Sequence, residues 1–324
     1  MTTIALPPHR AALSALVFAV LAMAGVVDAQ SRPEPAAAAP AVAAAERSVL
    51  RAQVLLERAH FSPGQIDGEL GSSFAGALAG FQRSRGLADD GRLGPDTWAA
   101  LETEAVPTLV DYTLTDADVA GPFEPLPEPI PERAALPALG YESVEEALGE
   151  RFHASPELLR TLNPEVALDQ AGAVLKVPNV LDLPALPTPA KIVVTESTGI
   201  LSLVDADDTV LAQFPASMGS EHDPLPIGDW TVTNVAENPV FNYDPALLRT
   251  ADPETEATQL PAGPNNPVGA VWIGISKPHY GIHGTPDPVR VGKTESNGCI
   301  RLTNWSVRRL AQVVAVGMPV EMRK

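Results

Sequence analysis

Residues 283–302 read HGTPDPVRVGKTESNGCIRL, and this stretch is decisive because it holds the single cysteine, Cys299, and one of the six histidines, His283. A thiol near its ordinary pKa of about 8.5 is a poor nucleophile at neutral pH until a base or a nearby cation favours the thiolate. Histidine is the usual base because it takes that proton and later returns it to a leaving amine. The pair fits nucleophilic catalysis, and a buried, unreactive cysteine is the alternative interpretation.

The residues around Cys299 favour the catalytic interpretation. We expect a sharp turn at Asn297-Gly298, because glycine permits a positive φ and lets a backbone N–H point at a substrate oxygen. Arg301 follows two positions after the cysteine. There its guanidinium can flank the thiolate and bind a carboxylate with two hydrogen bonds.

This segment lies in a β-rich C-terminal region. Short β-branched runs separated by Gly, Pro and Asp predict a mainly antiparallel β domain over residues 189–323. The predicted strands are 191–195, 200–204, 209–214, 229–235, 269–275 and 318–322. One helix is predicted from Thr303 to Val316. Residues 236–268 contain six prolines, and a loop of that length suggests a lid over a cleft.

The N-terminus predicts export. Arg10 precedes the apolar run 11–27, and Asp28-Ala29 completes a pattern typical of a secretory signal peptide over residues 1–29. An uncleaved membrane anchor is the alternative, because the run is near the lower length limit of a span. The Ala/Pro-rich residues 30–47 predict a flexible linker.

Residues 48–101 combine helical apolar spacing with a short repeat, in which 66–74 (IDGELGSSF) is compared with 90–98 (DGRLGPDTW). In each copy we expect an Asp-Gly turn, a leucine in the core, and Ser or Asp-Thr capping the next helix. Phe81-Gln82 and Gly86-Leu87 lie between the copies. The segment resembles the three-helix peptidoglycan-binding module of wall enzymes. A helical domain that only packs is the alternative.

The middle of the chain is less informative. Residues 102–137 contain eight acidic residues and seven prolines, which predicts an acidic, solvated linker. Residues 138–180 suggest a strand at Tyr141–Ser143, two short helices and a closing strand at 172–178. With LNP at 162–164, this order resembles a degenerate LysM glycan-binding module. A small spacer domain without a ligand is the alternative.

Composition limits the function classes. The net charge of −18 argues against nucleic acid and anionic membrane surfaces as partners, which need clustered Lys and Arg. One cysteine excludes an internal disulfide and a multi-cysteine metal site. His279 and His283 are four positions apart, but Pro278 and Gly281 break any helix there, so we expect no metal. No cofactor and no strong protein partner is implied.

The pattern His-Gly-Thr followed by Ser-x-Gly-Cys-hydrophobic-Arg resembles the L,D-transpeptidase family with its YkuD-type catalytic domain. The resemblance extends over about 135 residues and includes Pro226-Ile227-Gly228 and 266–269 (NPVG). It implies a multidomain enzyme: a small three-helix bundle, a small α+β LysM-like module and a mainly antiparallel β catalytic domain. The implied partners are the stem peptides and glycan of peptidoglycan.

The resemblance also implies roles for individual residues. Cys299 would attack the third residue of a tetrapeptide stem and expel D-alanine, and the amine of a second stem would resolve the thioester into a 3→3 cross-link. His283 would be the general base, held by a carbonyl of Gly284 or Ser296. Backbone N–H groups of Gly298 and Cys299 would form the oxyanion hole. Arg301 would orient the chain or a substrate carboxylate.

One departure concerns the residue before Gly-Cys, where the family usually has histidine and this chain has Asn297. An amide does not titrate, so His283 is left as the base and Asn297 becomes a candidate substrate contact. His279, Arg290 and Lys293 are further candidate substrate contacts.

The leading hypothesis from the sequence is an exported cysteine L,D-transpeptidase of the periplasm or cell envelope, active in peptidoglycan biosynthesis, wall biogenesis and cell shape, or in attaching a protein to the wall. An L,D-carboxypeptidase or protein-detaching enzyme with the same acyl-enzyme is one alternative. A non-catalytic wall-binding protein is the other.

Overall fold

The structure is a computed structural model that describes residues 48–103, 105–247, 251–252, 254–296 and 298–324. The predicted signal peptide (1–29) and linker (30–47) lie outside these ranges, as does Asn297. No helix within the described ranges is both long and apolar enough to cross a membrane. From Ser48 onward the chain forms a helical region, a small α+β region and a β domain.

The helical region is a bundle of three helices, α1 (Val49–Arg58), α2 (Ser72–Ser84) and α3 (Pro95–Leu101). Their apolar faces share one core, because side chains at helical spacing point to the same side of each helix. The core includes Leu56, Phe74, Leu78, Phe81 and Trp98. The predicted three-helix bundle is confirmed.

The two Asp-Gly turns of the repeat are held in the same way. The Nε2 of Gln53 donates to Oδ1 of Asp67 at 2.8 Å, and the Nε2 of Gln82 donates to Oδ1 of Asp90 at 3.0 Å. Two details of the prediction are wrong. The N-caps of α2 and α3 are glycines without a side-chain cap, because the expected capping side chains fall inside the first turn. Leu70 is 75% exposed because its turn projects away from the core.

The α+β region has two paired outer strands with helices between them. Its elements in chain order are β1 (Leu109–Thr113), α4 (Asp116–Val119), α5 (Ile130–Ala134), α6 (Val144–Arg151), α7 (Pro156–Leu162) and β2 (Val174–Pro178). β1 runs antiparallel to β2. The predicted linker 102–137 is therefore corrected, since Val110 and Tyr112 in β1 pack against the core of this region. Residues 141–143 are not a strand but lead into α6, where Ser143 accepts a hydrogen bond from the N–H of Glu146.

The β domain is built on an eight-stranded mixed sheet and one helix. The strands of this sheet are β3 (Lys191–Thr195), β4 (Ile200–Val204), β5 (Val210–Pro215), β6 (Gly228–Glu237), β9 (Val271–Ile275), β10 (Gly281–His283), β11 (Ile300–Arg301) and β12 (Pro319–Arg323). Between β6 and β9 the chain forms a separate two-stranded ribbon, β7 (Phe241–Tyr243) and β8 (Thr258–Leu260). The order across the sheet is β11-β10-β9-β6-β12-β3-β4-β5. Only the pairs β10–β11 and β12–β3 are parallel. The six predicted strands are present to within two residues, and the multidomain fold class is confirmed.

The helix of the β domain, α8 (Asn304–Ala311), follows β11 directly and is capped by Thr303, as predicted. It ends five residues before Val316, because the chain turns back through Gly317, at φ 89°, to enter β12. Glycine suits that position because it adopts positive φ at no steric cost.

A single bridge joins the two edges of the sheet. Ser217, two residues after the edge strand β5, exchanges two backbone hydrogen bonds with Arg301 of the opposite edge strand β11, at 3.0 and 2.8 Å. The chain around Cys299 is therefore held by β10 on one side and by the continuation of β5 on the other.

The proline-rich segment 236–268, predicted as a lid, contains the β7–β8 ribbon, which is docked on the α+β region. Tyr243 and Leu260 pack with Leu139 in a small buried cluster. The N–H of Leu139 donates to the carbonyl of Ala262 at 2.9 Å. The ribbon thus connects two regions, and its role as a lid stays a prediction.

The helical region packs along the outer edge of β5. Gln213 exchanges backbone hydrogen bonds with His60 and Ser62, each at 2.9 Å, and its Nε2 donates to the carbonyl of Gly76 in α2 at 2.9 Å. Gln213 is only 3% exposed. This edge of the sheet is therefore covered by the helical region.

All three regions meet at Glu57 of α1, which is fully buried. Its Oε1 lies 3.0 Å from Nδ1 of His153, between α6 and α7, and 3.6 Å from Nη1 of Arg309 on α8. Burial acts to raise the pKa of Glu57, but the hydrogen bond and charge of His153 and the charge of Arg309 bring it below its usual value. A buried ionic cluster thus joins the three regions.

Candidate active site

Two adjacent short strands bring His283 and Cys299 to the same place. β10 and β11 are parallel, with Ile282 opposite Ile300, so that Cys299 enters β11 opposite Gly281. Gly281 has no room for a side chain, because an added Cβ would lie 2.5 Å from the ring of Trp272. That ring stacks on the imidazole of His283 with centroids 5.6 Å apart.

His283 is buried, and its orientation is fixed by its neighbour. Its Nδ1 lies 2.6 Å from the carbonyl oxygen of Gly284. A carbonyl only accepts, so Nδ1 carries the proton and Nε2 carries the free lone pair. Burial lowers the pKa of His283 to about 4, the charge of Arg301 acts in the same direction, and the hydrogen bond to Gly284 opposes them. The imidazole is therefore neutral at physiological pH and able to accept a proton. Of the two predicted carbonyl partners, Gly284 is the one in place.

Cys299 is half-buried and lies directly before β11. Its Sγ donates to the carbonyl of His279 at 3.7 Å. Burial raises the pKa of the Cys299 thiol, while a backbone hydrogen bond from Gly281 and the charge of Arg301 lower it in part. Both pKa shifts favour the neutral form of the group concerned, the thiol of Cys299 and the imidazole of His283.

Gly298, directly before the thiol residue, has the expected positive φ. Gly298 has a φ of 92°, and an added Cβ would lie 2.5 Å from Cε1 of Tyr280. The position therefore requires glycine for its backbone and for its surroundings. The hydroxyl of Ser296 donates to the carbonyl of Cys299 at 2.6 Å, and the carbonyl at hydrogen-bond distance from Nδ1 of His283 is that of Gly284.

The other predicted site residues differ in their burial and in their contacts. Arg301 is half-buried and its charge acts on both Cys299 and His283. His279 approaches the thiol with its backbone carbonyl, and its side chain is exposed. Arg290 is 70% exposed and pairs with Asp287 at 2.8 Å, and Lys293 is exposed. Asn297 lies outside the described residues.

Sequence reasoning missed a residue that organises this loop. Ser217 is 2% exposed, and its hydroxyl donates to the carbonyl of Arg290 at 3.2 Å and accepts from the N–H of Gly292 at 3.1 Å. Its backbone also pairs with Arg301. No local pattern identifies such a serine, because its partners are more than 70 positions away. Tyr280 was missed too, although it follows His279 directly.

The described residues contain no group of three or more His, Cys, Asp or Glu side chains arranged to hold a metal ion.

Two family models match the chain. Residues 189–322 match the L,D-transpeptidase catalytic domain, YkuD, and residues 46–101 match the "Putative peptidoglycan binding domain".

Curated relatives agree with the catalytic match. The "Putative L,D-transpeptidase YqjB" of Bacillus subtilis is 35% identical over 141 residues, which cover 42% of this chain and 72% of the relative. The "Putative L,D-transpeptidase YkuD" of the same organism is 29% identical over 174 residues, which cover 53% of this chain and 89% of the relative.

Among solved structures, an L,D-transpeptidase from Xylanimonas cellulosilytica is 17% identical with a TM-score of 0.37, covering 85% of this chain and 92% of that chain. L,D-transpeptidase 3 from Mycobacterium tuberculosis is 19% identical with a TM-score of 0.35, covering 49% and 77%. The assignment rests on the sequence matches. The match over residues 189–322 identifies the β domain as an L,D-transpeptidase catalytic domain. The chain belongs to the L,D-transpeptidase (YkuD) family.

Proposed function

We propose that this chain is an exported, wall-associated cysteine L,D-transpeptidase that links peptidoglycan stem peptides through a thioester on Cys299. The observation that carries the proposal is the fixed imidazole of His283, with Nδ1 on the Gly284 carbonyl at 2.6 Å and a neutral Nε2, on the strand that pairs with β11.

The first half-reaction forms the acyl-enzyme. As Sγ of Cys299 attacks the carbonyl of the third stem residue, His283 takes the thiol proton. The carbonyl oxygen becomes an oxyanion that the N–H groups of Gly298 and Cys299 stabilise. The C–N bond to the terminal D-alanine then breaks, and His283 returns the proton to the leaving amine. The products are a thioester and free D-alanine.

The second half-reaction transfers the acyl group. The side-chain amine of a second stem attacks the thioester, His283 accepts its proton, and the proton returns to the departing sulfur. The product is a 3→3 cross-linked dimer and the free enzyme. Arg301, half-buried beside the thiol, supplies the positive charge that can hold a stem carboxylate.

Wall association is the proposed role of the helical region. Its match to a peptidoglycan-binding model supports the polymer as ligand, and the signal-like N-terminus supports export to the cell envelope. Glycan binding by the LysM-like α+β region stays a prediction.

Mass spectrometry of the full chain and of Cys299→Ala, each incubated with a disaccharide-tetrapeptide, tests the proposal. Dimers that lack one terminal D-alanine, formed by the wild type alone, are the expected result. Tripeptides without dimers indicate an L,D-carboxypeptidase. Turnover by the alanine variant contradicts the cysteine mechanism, and no turnover by either chain shifts the proposal to a protein substrate or to wall binding.

A further inference from the structure

A buried carboxyl group from outside the β domain contacts the start of α8. Glu150 lies on α6 of the α+β region, and its side chain is 6% exposed. Its Oε1 accepts a hydrogen bond from Nδ2 of Asn304 at 3.1 Å. Its Oε2 makes no hydrogen bond within the described part of the chain, and Nη1 of Arg308 lies 3.9 Å away. Burying a carboxyl group this deeply costs folding free energy unless hydrogen bonds or a nearby opposite charge compensate for the lost hydration.

Asn304 continues this contact towards the candidate active site. It is fully buried, and its Oδ1 accepts from the N–H of Ala270 at 2.8 Å. The same oxygen lies 2.1 Å from the point that a Cβ on Gly284 would occupy, and 2.2 Å from that on Gly269. The Asn304 amide therefore fills the space beside the backbone of Gly284.

Gly284 is the residue whose carbonyl holds His283 at 2.6 Å. A chain of direct contacts thus runs from Glu150 through Asn304 to Gly284 and then to the imidazole. The two N–H groups of the Asn304 amide are used by Glu150 and by the carbonyl of Pro264, at 3.1 Å each. Without Glu150, one buried N–H of the Asn304 amide loses its acceptor, which leaves the N–H of Ala270 and the carbonyl of Pro264 to hold the amide, and its position against Gly284 is less tightly fixed.

We propose that Glu150 is a positioning residue for His283, acting through Asn304. The inference rests on the proposed role of His283 as general base. The α+β region then contributes to acyl transfer as a structural part of the active site, independently of any ligand it binds. A simpler role, in which Glu150 only attaches α6 to the β domain, leaves the imidazole unaffected, and the two roles are separable.

Glutamine and methionine at position 150 provide a matched pair in the full chain. Glu150→Gln keeps an oxygen that accepts from Asn304, whereas Glu150→Met has similar size and no such acceptor. Glu150→Ala serves as a second truncation in case the methionine variant does not fold. Glu145→Ala is the control on the same helix, because Glu145 forms a solvent-exposed ion pair with Arg160 at 3.2 Å.

The measurements are kcat and KM for D-alanine release and the ¹H–¹⁵N NMR signal of the His283 Nδ1–H. We expect Glu150→Met to lower kcat about tenfold or more, since small misplacements of catalytic groups have large effects on rate. Its KM stays unchanged and its Nδ1–H signal shifts or broadens. Glu150→Gln and Glu145→Ala retain the wild-type kcat and signal.

Two results would overturn the proposal. One is a folded methionine or alanine variant with wild-type kcat and an unchanged Nδ1–H signal. The other is a glutamine variant that loses as much as the methionine variant. If the wild type itself releases no D-alanine, the proposed function fails, and the NMR comparison alone still decides whether Glu150 positions His283.

Discussion

The carbonyl oxygen of Gly284 lies 2.6 Å from Nδ1 of His283, the residue directly before it in the chain. The backbone of the neighbouring residue therefore fixes the tautomer of the imidazole. No carboxylate partner contributes to the imidazole's shifted pKa; instead, burial brings it to about 4. A base with so low a pKa is neutral at physiological pH. The arrangement predicts a particular pH dependence.

We expect the acylation rate to be level above about pH 5 and to fall through an apparent pKa of about 4. Protonated His283 cannot accept the thiol proton, and its folded pKa lies below the ordinary value of about 6.5. Single-turnover release of D-alanine measures this step without the acceptor amine. An apparent pKa near 6.5 would contradict the buried, neutral imidazole.

Stability provides the control for that experiment. Because the folded pKa of His283 is depressed, the unfolded chain binds the proton first, and stability falls as the pH drops from about 6.5 towards 4. Circular dichroism at each pH therefore has to show that the chain remains folded.

Gly298→Ala should lower the acylation rate by about 10²–10³-fold, because it displaces a proposed oxyanion-hole N–H. The position has a φ of 92° and no room beside Tyr280. Gly317→Ala is the matched control: its φ is 89° and nothing lies within 4 Å of the added Cβ. Both variants should lose about 1–3 kcal/mol of stability through backbone strain. Equal activity in the two variants would disprove the special role of Gly298.

The docking of α2 on β5 can be tested with two alanines on the same helix. An added Cβ at Gly80 would lie 1.9 Å from Oε1 of Gln213, whereas at Gly76 it would lie 3.6 Å from Ile200, an ordinary contact. Gly80→Ala should cost about 1–3 kcal/mol through overpacking. Gly76→Ala should be neutral or stabilising by up to about 1 kcal/mol, because alanine favours helix. Thermal unfolding measures both, and equal shifts would contradict the docking geometry.

Glu150 should make stability decrease with rising pH. Burial raises its pKa to about 7, and the groups facing it are Arg308, Asn304, Tyr141 and Glu146. Because the folded pKa exceeds the usual value of about 4.5, its contribution is present below pH 4.5 and is lost as the pH rises to 7. The wild type should therefore lose on the order of 3 kcal/mol of unfolding free energy over this pH interval, and Glu150→Gln, whose side chain does not ionise, should not show this loss. Denaturant unfolding of both chains at pH 4.5 and 8 measures this difference. An equal change in unfolding free energy in the wild type and in Glu150→Gln would contradict the prediction.

Local sequence patterns predicted most of the long elements and singled out His283 and Cys299 as candidate reactive residues. Strands such as 191–195 and 200–204 were predictable because β-branched side chains alternate within clear breaks. β10 and β11 were not, since they have three and two residues and are defined by their pairing with each other. The motif pointed to His283 and Cys299, but their adjacency depends on that pairing.

Residues acting through distant contacts escaped prediction. β1 lies in an acidic, proline-rich stretch that resembles a linker, and it is a strand only because β2 pairs with it 60 or more residues later. Glu150 and Asn304 are 154 positions apart, and neither belongs to a pattern that predicts their contact. Ser217 is a further case, joining the two edges of the sheet.

Residues 60–62 and α2 cover the outer edge of β5. This contact matters for truncation of the chain. An uncovered edge strand offers unpaired N–H and C=O groups to any passing strand. A chain cut back to the catalytic domain alone would expose β5 in this way, and copies of it would tend to aggregate through strand addition. We therefore expect the three-helix bundle to keep the β domain soluble by covering this edge.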